Sequence, residues 1–207
     1  MLPAVAPVPR VCVLRPGYAR DDGPNSMRAD CSCTLVQDGD QRILVDTLGP
    51  WQAQLLTQLL REQDVRPQDI DVLICTHGHP DHVGNLNLFT SSRLHIVGFS
   101  AYRDDEYTFH PFSGNVPYEL TDNVRVIPTP GHTLSCVSVV VQNAEGLGTV
   151  VVAGDLFEKE EDLTDDSIWL SAGSEDEVKQ RSSRAAVLSI ADFIVPGHGP
   201  MFQVPRK

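Results

Sequence analysis

Apolar positions along the chain fall into short β-branched runs, separated by turns rich in glycine, proline and aspartate. Residues 11–14, 33–36, 43–45, 72–75, 94–97, 124–127, 137–141, 150–152 and 193–195 each read as a strand. Several of these runs are apolar at every position rather than at alternate ones, which predicts strands covered on both faces. Helical periodicity is scarcer. Pro50, well suited to a first helical position, opens one helix. Leu55, Leu56, Leu59 and Leu60 form its stripe, and Pro67 breaks the pattern beyond it. A short helix is predicted over about residues 82–89. Another begins at Ser174, where Ser-Glu-Asp-Glu fits a capping box closed by Glu177, and continues through Ala185, Ala186, Leu188 and Ile190. Strands come in runs with helices between them, which favours a layered α+β sandwich over a doubly wound parallel fold. Residues 100–120 and 158–177 lack a clear period and read as surface loops.

The chain has 207 residues, a length that predicts a single domain over 1–207, with residues 1–9 flexible. Its 16 basic residues face 28 acidic ones, a formal net charge of −12. That balance argues against a broad basic face for nucleic acid and against docking on anionic lipid. Its longest apolar stretches, about seven residues, are far short of a membrane span. The start MLPAVAPVPR has no basic region before its apolar residues and is broken by prolines, so no secretory signal is expected. Five cysteines without a C-x-x-C pair point to a reducing compartment, cytoplasmic or nuclear. Cys31 and Cys33 read as neighbours on one strand face, with a metal or redox pair as the alternative.

The distribution of histidine changes the picture. Five of the seven histidines sit in turns flanked by glycine or proline just after predicted strands. Strand 72–75 leads into Thr76-His77-Gly78-His79-Pro80-Asp81-His82, four potential metal ligands within six residues. Strand 124–127 leads to His132, strand 150–152 to Asp155 and strand 193–195 to His198. One histidine in a turn is ordinarily a surface or capping residue. Four such elements together are hard to assign to chance, and loops along one sheet edge can bring them together.

The order His77-x-His79-x-Asp81-His82, then His132, Asp155 and His198, resembles the metallo-β-lactamase superfamily over residues 43–200. Asp46, ending strand 43–45, matches the family's earliest motif. The resemblance implies an αββα sandwich of two mixed β-sheets flanked by helices, with metals at one edge of the sheets. It implies that His77, His79 and His132 hold one metal, that Asp81, His82 and His198 hold a second, that Asp155 bridges them, and that Asp46 braces the loop from behind. Donors of this kind suit two Zn2+, with iron or manganese as alternatives. The implied chemistry is hydrolysis by a hydroxide shared between two cations about 3.5–4 Å apart, with Asp81 as the catalytic residue that orients it. Metal binding without catalysis is the blander alternative.

Substrate choice lies outside the ligand set. The chain ends nine residues after His198, which leaves no room for the helical glutathione-binding domain of glyoxalase II-type thioesterases or for the insertion of the cleavage-factor-type nucleases. The surrounding segments, Arg28 to Val36, Ile43 to Trp51, His82 to Phe89, Gly148 to Glu158 and Val195 to Pro200, resemble a group of animal proteins in the glyoxalase II-like branch. That resemblance implies an endoribonuclease acting on histone pre-mRNA. A thioesterase or other small-molecule ester or lactone hydrolase is the second expectation, a non-enzymatic metal-binding scaffold the third, and a homodimer is compatible with either enzyme. Only three residues are lysine, so RNA would need a local arginine track, for which Arg15, Arg20, Arg28, Arg93, Arg103 and Arg125 are candidates. His110, among aromatics that could stack on bases or pin their loop, is a candidate acid or substrate contact, whereas His95 reads as a packed strand residue. Two positions depart from the family pattern. Leu48 precedes Gly49 where glycine usually follows Asp-Thr, and Asn85 replaces a second glycine after the histidine cluster. Both are expected to alter substrate fit.

Overall fold

The computed structural model describes residues 8–206. The chain runs through β1 (Arg10–Arg15), β2 (Tyr18–Asp21), β3 (Met27–Asp30), β4 (Cys33–Asp38), β5 (Gln41–Val45), α1 (Ala53–Arg61), β6 (Val72–Cys75), α2 (Pro80–Val83), β7 (Leu94–Val97), β8 (Ser100–Arg103), β9 (Glu106–Thr108), β10 (Tyr118–Glu119), β11 (Val124–Pro128), β12 (Val137–Ala144), β13 (Gly148–Gly154), α3 (Asp166–Ser171), α4 (Glu177–Ile190), β14 (Phe193–Pro196) and β15 (Phe202–Gln203). One sheet has the order β1-β4-β5-β6-β7-β8-β9, a second β10-β11-β12-β13-β14-β15, and β2-β3 form a separate hairpin. Both large sheets are mixed: β5-β6-β7 and β13-β14 pair in parallel, the other neighbours antiparallel.

Alternate side chains of the apolar strands face different partners, and this sorting makes the αββα layers. Val36, Val45, Val72 and Ile74 from the first sheet meet Val126, Val139, Val152 and Val195 from the second in the central core. Leu35, Leu44 and Leu73 point the other way, onto Leu56 and Leu60 of α1. Val140, Val151 and Ile194 point outward from the second sheet onto Val187 of α4. A strand buried on both sides has no polar face to show, which is why these runs are continuously apolar.

The nine predicted strands all form. The six that were not predicted, β2, β3, β8, β9, β10 and β15, are short, and several are largely exposed. Three of them turn the expected loop over 100–120 into an edge of strands. The stretch 158–177 likewise holds α3 and a single turn of 3-10 helix at Glu160–Leu163. The N-cap of α4 is Asp176, whose carboxylate accepts from Lys179 N at 3.0 Å; the Ser174 hydroxyl instead donates to Gly131 O. The helix expected over 82–89 splits into α2, starting at Pro80, and a 3-10 turn at Leu86–Leu88. The expected flexibility of residues 1–9 falls mostly outside the described residues, but Pro9 is buried and its carbonyl accepts from Glu145 N.

One buried ion pair ties the segment after β13 to α4. Arg184 donates to Asp162 Oδ2 (3.2 Å), to Asp162 O and to Leu156 O, and its guanidinium lies over Phe157 at 4.2 Å. Removing one partner of such a pair strands a buried charge. Arg184→Met is therefore expected to lower unfolding stability by about 3–5 kcal/mol in urea titrations, and adding Asp162→Asn should recover part of that loss.

Candidate metal centre

The candidate ligands all sit where strands end at one edge of the sandwich. Asp46 follows β5, His77 to His82 follow β6, His132 follows β11, Asp155 follows β13 and His198 follows β14. Pro80 at the first position of α2 begins the helix just after His79, which places Asp81 and His82 in its single turn. Gly154, with φ of 55°, and Gly197 pack so tightly that an added Cβ would meet Thr76 Oγ1 and Asp155 Oδ1 respectively. These two glycines let the three loops close on one another.

The structure brings all seven predicted ligands together. His77, His79, His132 and Asp155 offer donor atoms within 4.8 Å of one another, and so do Asp81, His82 and His198. His79 Nδ1 lies 2.8 Å from His77 Nε2 and 3.1 Å from His132 Nε2. Asp155 stands between the groups: Oδ2 is 3.5 Å from His77 Nε2, 3.4 Å from His132 Nε2 and 3.3 Å from His198 Nε2, while Oδ1 is 3.1 Å from His82 Nε2. Asp81 Oδ2 lies 3.8 Å from His198 Nε2 and 4.0 Å from His82 Nε2.

Outer hydrogen bonds hold three of these rings in place. His132 Nδ1–H donates to Gly173 O (2.8 Å), His198 Nδ1–H to Asp30 O (3.1 Å) and His82 Nδ1–H to Asp46 Oδ2 (2.9 Å). Each leaves Nε2 facing inward, the arrangement that fixes a metal-binding tautomer. Asp46 also accepts from the backbone and hydroxyl of Thr76, so one carboxylate joins the end of β5 to the histidine loop. Inside the cluster, His82 Nε2 and Asp155 Oδ1 are buried without a hydrogen-bond partner. Buried polar atoms are ordinarily satisfied, and imidazole nitrogens converging with carboxylates are the donors divalent cations take. The residues present therefore fit a metal centre.

Electrostatics divides the rings of the metal-free chain. Burial pushes His77 and His132 below the ordinary imidazole value. Burial opposes charge on His82 and His198 too, but Asp155 beside both outweighs it, so His82 lies well above the ordinary value and His198 is pushed up to about 9. Burial likewise works against ionised Asp155, yet His82, His198 and His77 hold its carboxyl well below the usual range. Glu158, which the sequence pattern did not single out, is pushed up to about 8 by burial and by Asp155.

Other candidates separate from the centre. His110 belongs to none of the metal-capable groups; it lines a cavity of about 370 Å³ with Phe99, Tyr107 and Phe109. Of its aromatic neighbours, Phe112 pins the loop to the core whereas Phe109 is 88% exposed. His95 is buried and stacks on Tyr102 at 5.2 Å, as a packed strand residue should. Arg93 and Arg125 stand at the strand ends opposite the metal loops, bonded to Gln41 and Gln142, so they do not frame the site. Arg15 does lie at that edge, 3.6 Å from buried Asp30. Cys31 and Cys33 do not share a strand. Cys31 precedes β4, where its thiol nears Asp46 and His82, and Cys33 bonds Asp46 O; burial raises both thiols, and all five cysteines are free. The departures at 48 and 85 are braces rather than substrate walls. Leu48 is buried in the layer under α1 at φ 59°, and Asn85 Nδ2 donates to Thr47 O and Gly49 O.

Comparison with known proteins agrees with this geometry. Residues 28–198 match the family model of the metallo-β-lactamase superfamily. The chain is 50% identical over 196 residues to metallo-β-lactamase domain-containing protein 1 of Xenopus laevis, covering 94% of this chain and 81% of that protein. The Homo sapiens protein of the same name is 40% identical over 225 residues, covering 95% and 83%. Among solved structures, an N-acyl homoserine lactone hydrolase with its product bound at the catalytic metal centre superposes with a TM-score of 0.66 at 19% identity, covering 94% of this chain and 93% of that one. A dizinc quorum-quenching lactonase gives 0.61 at 17% identity, covering 88% and 81%.

The bracing and the charges each carry an expected outcome. Asp46→Ala removes the acceptor behind His82 and Thr76, so metal affinity measured by competitive chelation should fall about 10–100-fold. Between pH 6.5 and 9 the folded metal-free chain holds protons on His82, His198 and Glu158 that the unfolded chain has lost or is losing. Its stability should therefore fall as pH rises through that window. Urea midpoints at stepped pH, with chelator and then with added metal, measure this; the metal should flatten the dependence, and a midpoint rising across the window without metal would contradict the assignment.

Proposed function

Because the chain belongs to the metallo-β-lactamase superfamily, and within it to the family of metallo-β-lactamase domain-containing protein 1, we propose that it is a binuclear metal-dependent hydrolase whose substrate is RNA, with histone pre-mRNA as the natural target in the nucleus or cytoplasm. The observation that carries the hydrolase reading is the convergence of seven donors with His82 Nε2 and Asp155 Oδ1 left unsatisfied. His77, His79 and His132 would hold one ion and Asp81, His82 and His198 the other, with two zinc ions as the first choice. Asp155 would be shared between the two groups, since its Oδ2 faces His77, His132 and His198 and its Oδ1 faces His82. Bound there, divalent cations polarise a phosphoryl or carbonyl oxygen and lower the pKa of water.

The chain's own residues then define the approach. His77 and His82 are closed off from solvent, while His79 is exposed and the Asp81 side chain 19% exposed, so substrate enters on the His79–Asp81 side. Asp81, within reach of both second-site rings, accepts a hydrogen bond from the attacking water and aims it. The RNA reading is supported by the family placement and by Arg20 on the β2–β3 hairpin, whose end at Asp30 backs His198. Exposed Tyr107 and Phe109 offer faces on which bases can stack.

A second reading, a lactone, ester or thioester hydrolase, is favoured by the net charge of −12 and by fold neighbours that act on acyl homoserine lactones. Metal-loaded protein should be offered single-stranded RNA carrying a histone 3′ end, an acyl homoserine lactone and an acyl-glutathione in parallel. RNA cleavage that chelator abolishes is the expected result. Asp155→Ala should lower it by more than the roughly hundredfold that loss of an outer hydrogen-bond partner can cost. Intact RNA beside rapid lactone or thioester turnover would move the assignment to the second reading.

A further inference from the structure

Glu158 takes no part in the proposed hydrolysis, yet it stands three residues past Asp155 with its side chain only 7% exposed. Burying a carboxylate is costly unless something compensates it. Here Oε1 has no hydrogen-bond partner, and Oε2 lies 4.0 Å from His198 Nε2, the nitrogen that faces the centre. The same nitrogen has Asp155 Oδ2 at 3.3 Å and Asp81 Oδ2 at 3.8 Å. Three carboxylates thus surround one imidazole nitrogen. Zinc bonds to nitrogen and oxygen run about 2.0–2.2 Å, so donors sharing an ion stand no more than about 4.3 Å apart. Toward His198, Glu158 Oε2 at 4.0 Å meets that limit almost as closely as Asp81 Oδ2 at 3.8 Å; Glu158 stands outside the set of Asp81, His82 and His198 whose donors lie within 4.8 Å of one another, so reaching the same ion also requires its carboxylate to turn toward them.

The backbone keeps it there. His198 N–H donates to Glu158 O (2.9 Å), and Glu158 N–H donates to Asp162 Oδ2 (2.8 Å), the carboxylate that Arg184 clamps. A side chain needed only to fill space would not be a carboxylate with an orphaned oxygen.

We propose that Glu158 is a further ligand of the ion held by Asp81, His82 and His198, an inference that rests on the binuclear reading. The two sites then differ in character. The first is three imidazoles with the bridging carboxylate. The second is two imidazoles with three carboxylates, a harder donor set that suits manganese or iron(II) as well as zinc. The three carboxylates and a shared hydroxide together match the charge of two divalent ions, leaving the centre formally neutral.

Calorimetric titration of the metal-free wild type and of Glu158→Gln with Zn2+ and with Mn2+, checked by elemental analysis, tests this. Wild type should take two ions. The variant should bind the first unchanged and the second at least tenfold more weakly, with the greater loss for Mn2+. Its metal-free melting temperature should be no lower than wild type, because the amide keeps the shape of the buried acid and carries no charge. Uptake of both ions with wild-type affinity overturns the inference, as does equal weakening of both ions with a lowered metal-free melting temperature, the mark of a purely structural role. Wild type binding one ion only would sink the binuclear reading and this inference with it; wild type binding two beside an unaffected variant would sink this inference alone. If Glu158→Gln does not fold, Glu158→Asp, which retracts the carboxylate by one methylene, should show the same selective loss, and full second-ion affinity in it overturns the assignment.

Discussion

Asp155, buried among four imidazoles, is the constraint on which the rest of this molecule depends. A carboxylate out of water needs positive charge close by, and no lysine or arginine among the described residues reaches it: its ion-pair neighbours are His77, His82, His132 and His198. Two of these rings gain protons in its field, while burial strips charge from the other two. Protons can therefore hold the place of cations, but imperfectly, since they leave His82 Nε2 and Asp155 Oδ1 without aligned partners. Divalent ions would satisfy the same atoms at several points at once. Metal binding at this edge would be coupled to folding through a single carboxylate.

The sandwich exists in a form that makes such a carboxylate tolerable. Strands β5, β6, β13 and β14 are apolar on both faces over their buried positions and carry their polar residues just beyond their ends, where those residues are buried too. Parallel pairing of β5 with β6 and of β13 with β14 delivers those residues to the same edge. Asp46 then links the loops after β5 and β6, and the bond from Gly197 N to Gly154 O links those after β13 and β14. The site's rigidity is thus a property of strand ends and tight glycines rather than of long helices.

This division explains what could be read from the residues alone. Strands buried on both faces announce themselves as unbroken apolar runs, so the central strands were legible, and with them the half-buried edge strand β1 and the helices α1 and α4. So were the metal-capable residues, because several donors placed after strand ends are a dense local signal. What was not legible depends on contacts distant in the chain. Leu48 and Asn85 looked like substrate-wall changes, but their roles, one packing under α1 and one bonding across to Thr47 and Gly49, exist only after α2 has folded against that turn. Asp176 displaced Ser174 as the cap because Ser174 is drawn to Gly131 across the fold. Glu158 was hidden in an acidic run beside Glu160 and Glu161, which are exposed; composition cannot tell which acid of a run turns inward.

The acidic total of the chain is likewise a sum over unlike environments. Many arginines are engaged close to home: Arg15 with Asp30, Arg28 with Asp22, Arg66 with Asp69, Arg181 with Asp166, Arg184 with Asp162 and Arg206 with Asp192. They offer a polyanion little free charge, and at an ionic strength of 0.15 M exposed charges beyond about 8 Å are screened in any case. Attraction of a phosphate would then have to come almost wholly from cations held at the strand ends. A third carboxylate on the second ion weakens even that pull. A centre built this way favours substrates recognised by shape and stacking next to the metals over those gathered from afar by charge. The same surface can therefore be acidic overall and still admit a single phosphodiester to the edge where His79 and Asp81 are exposed.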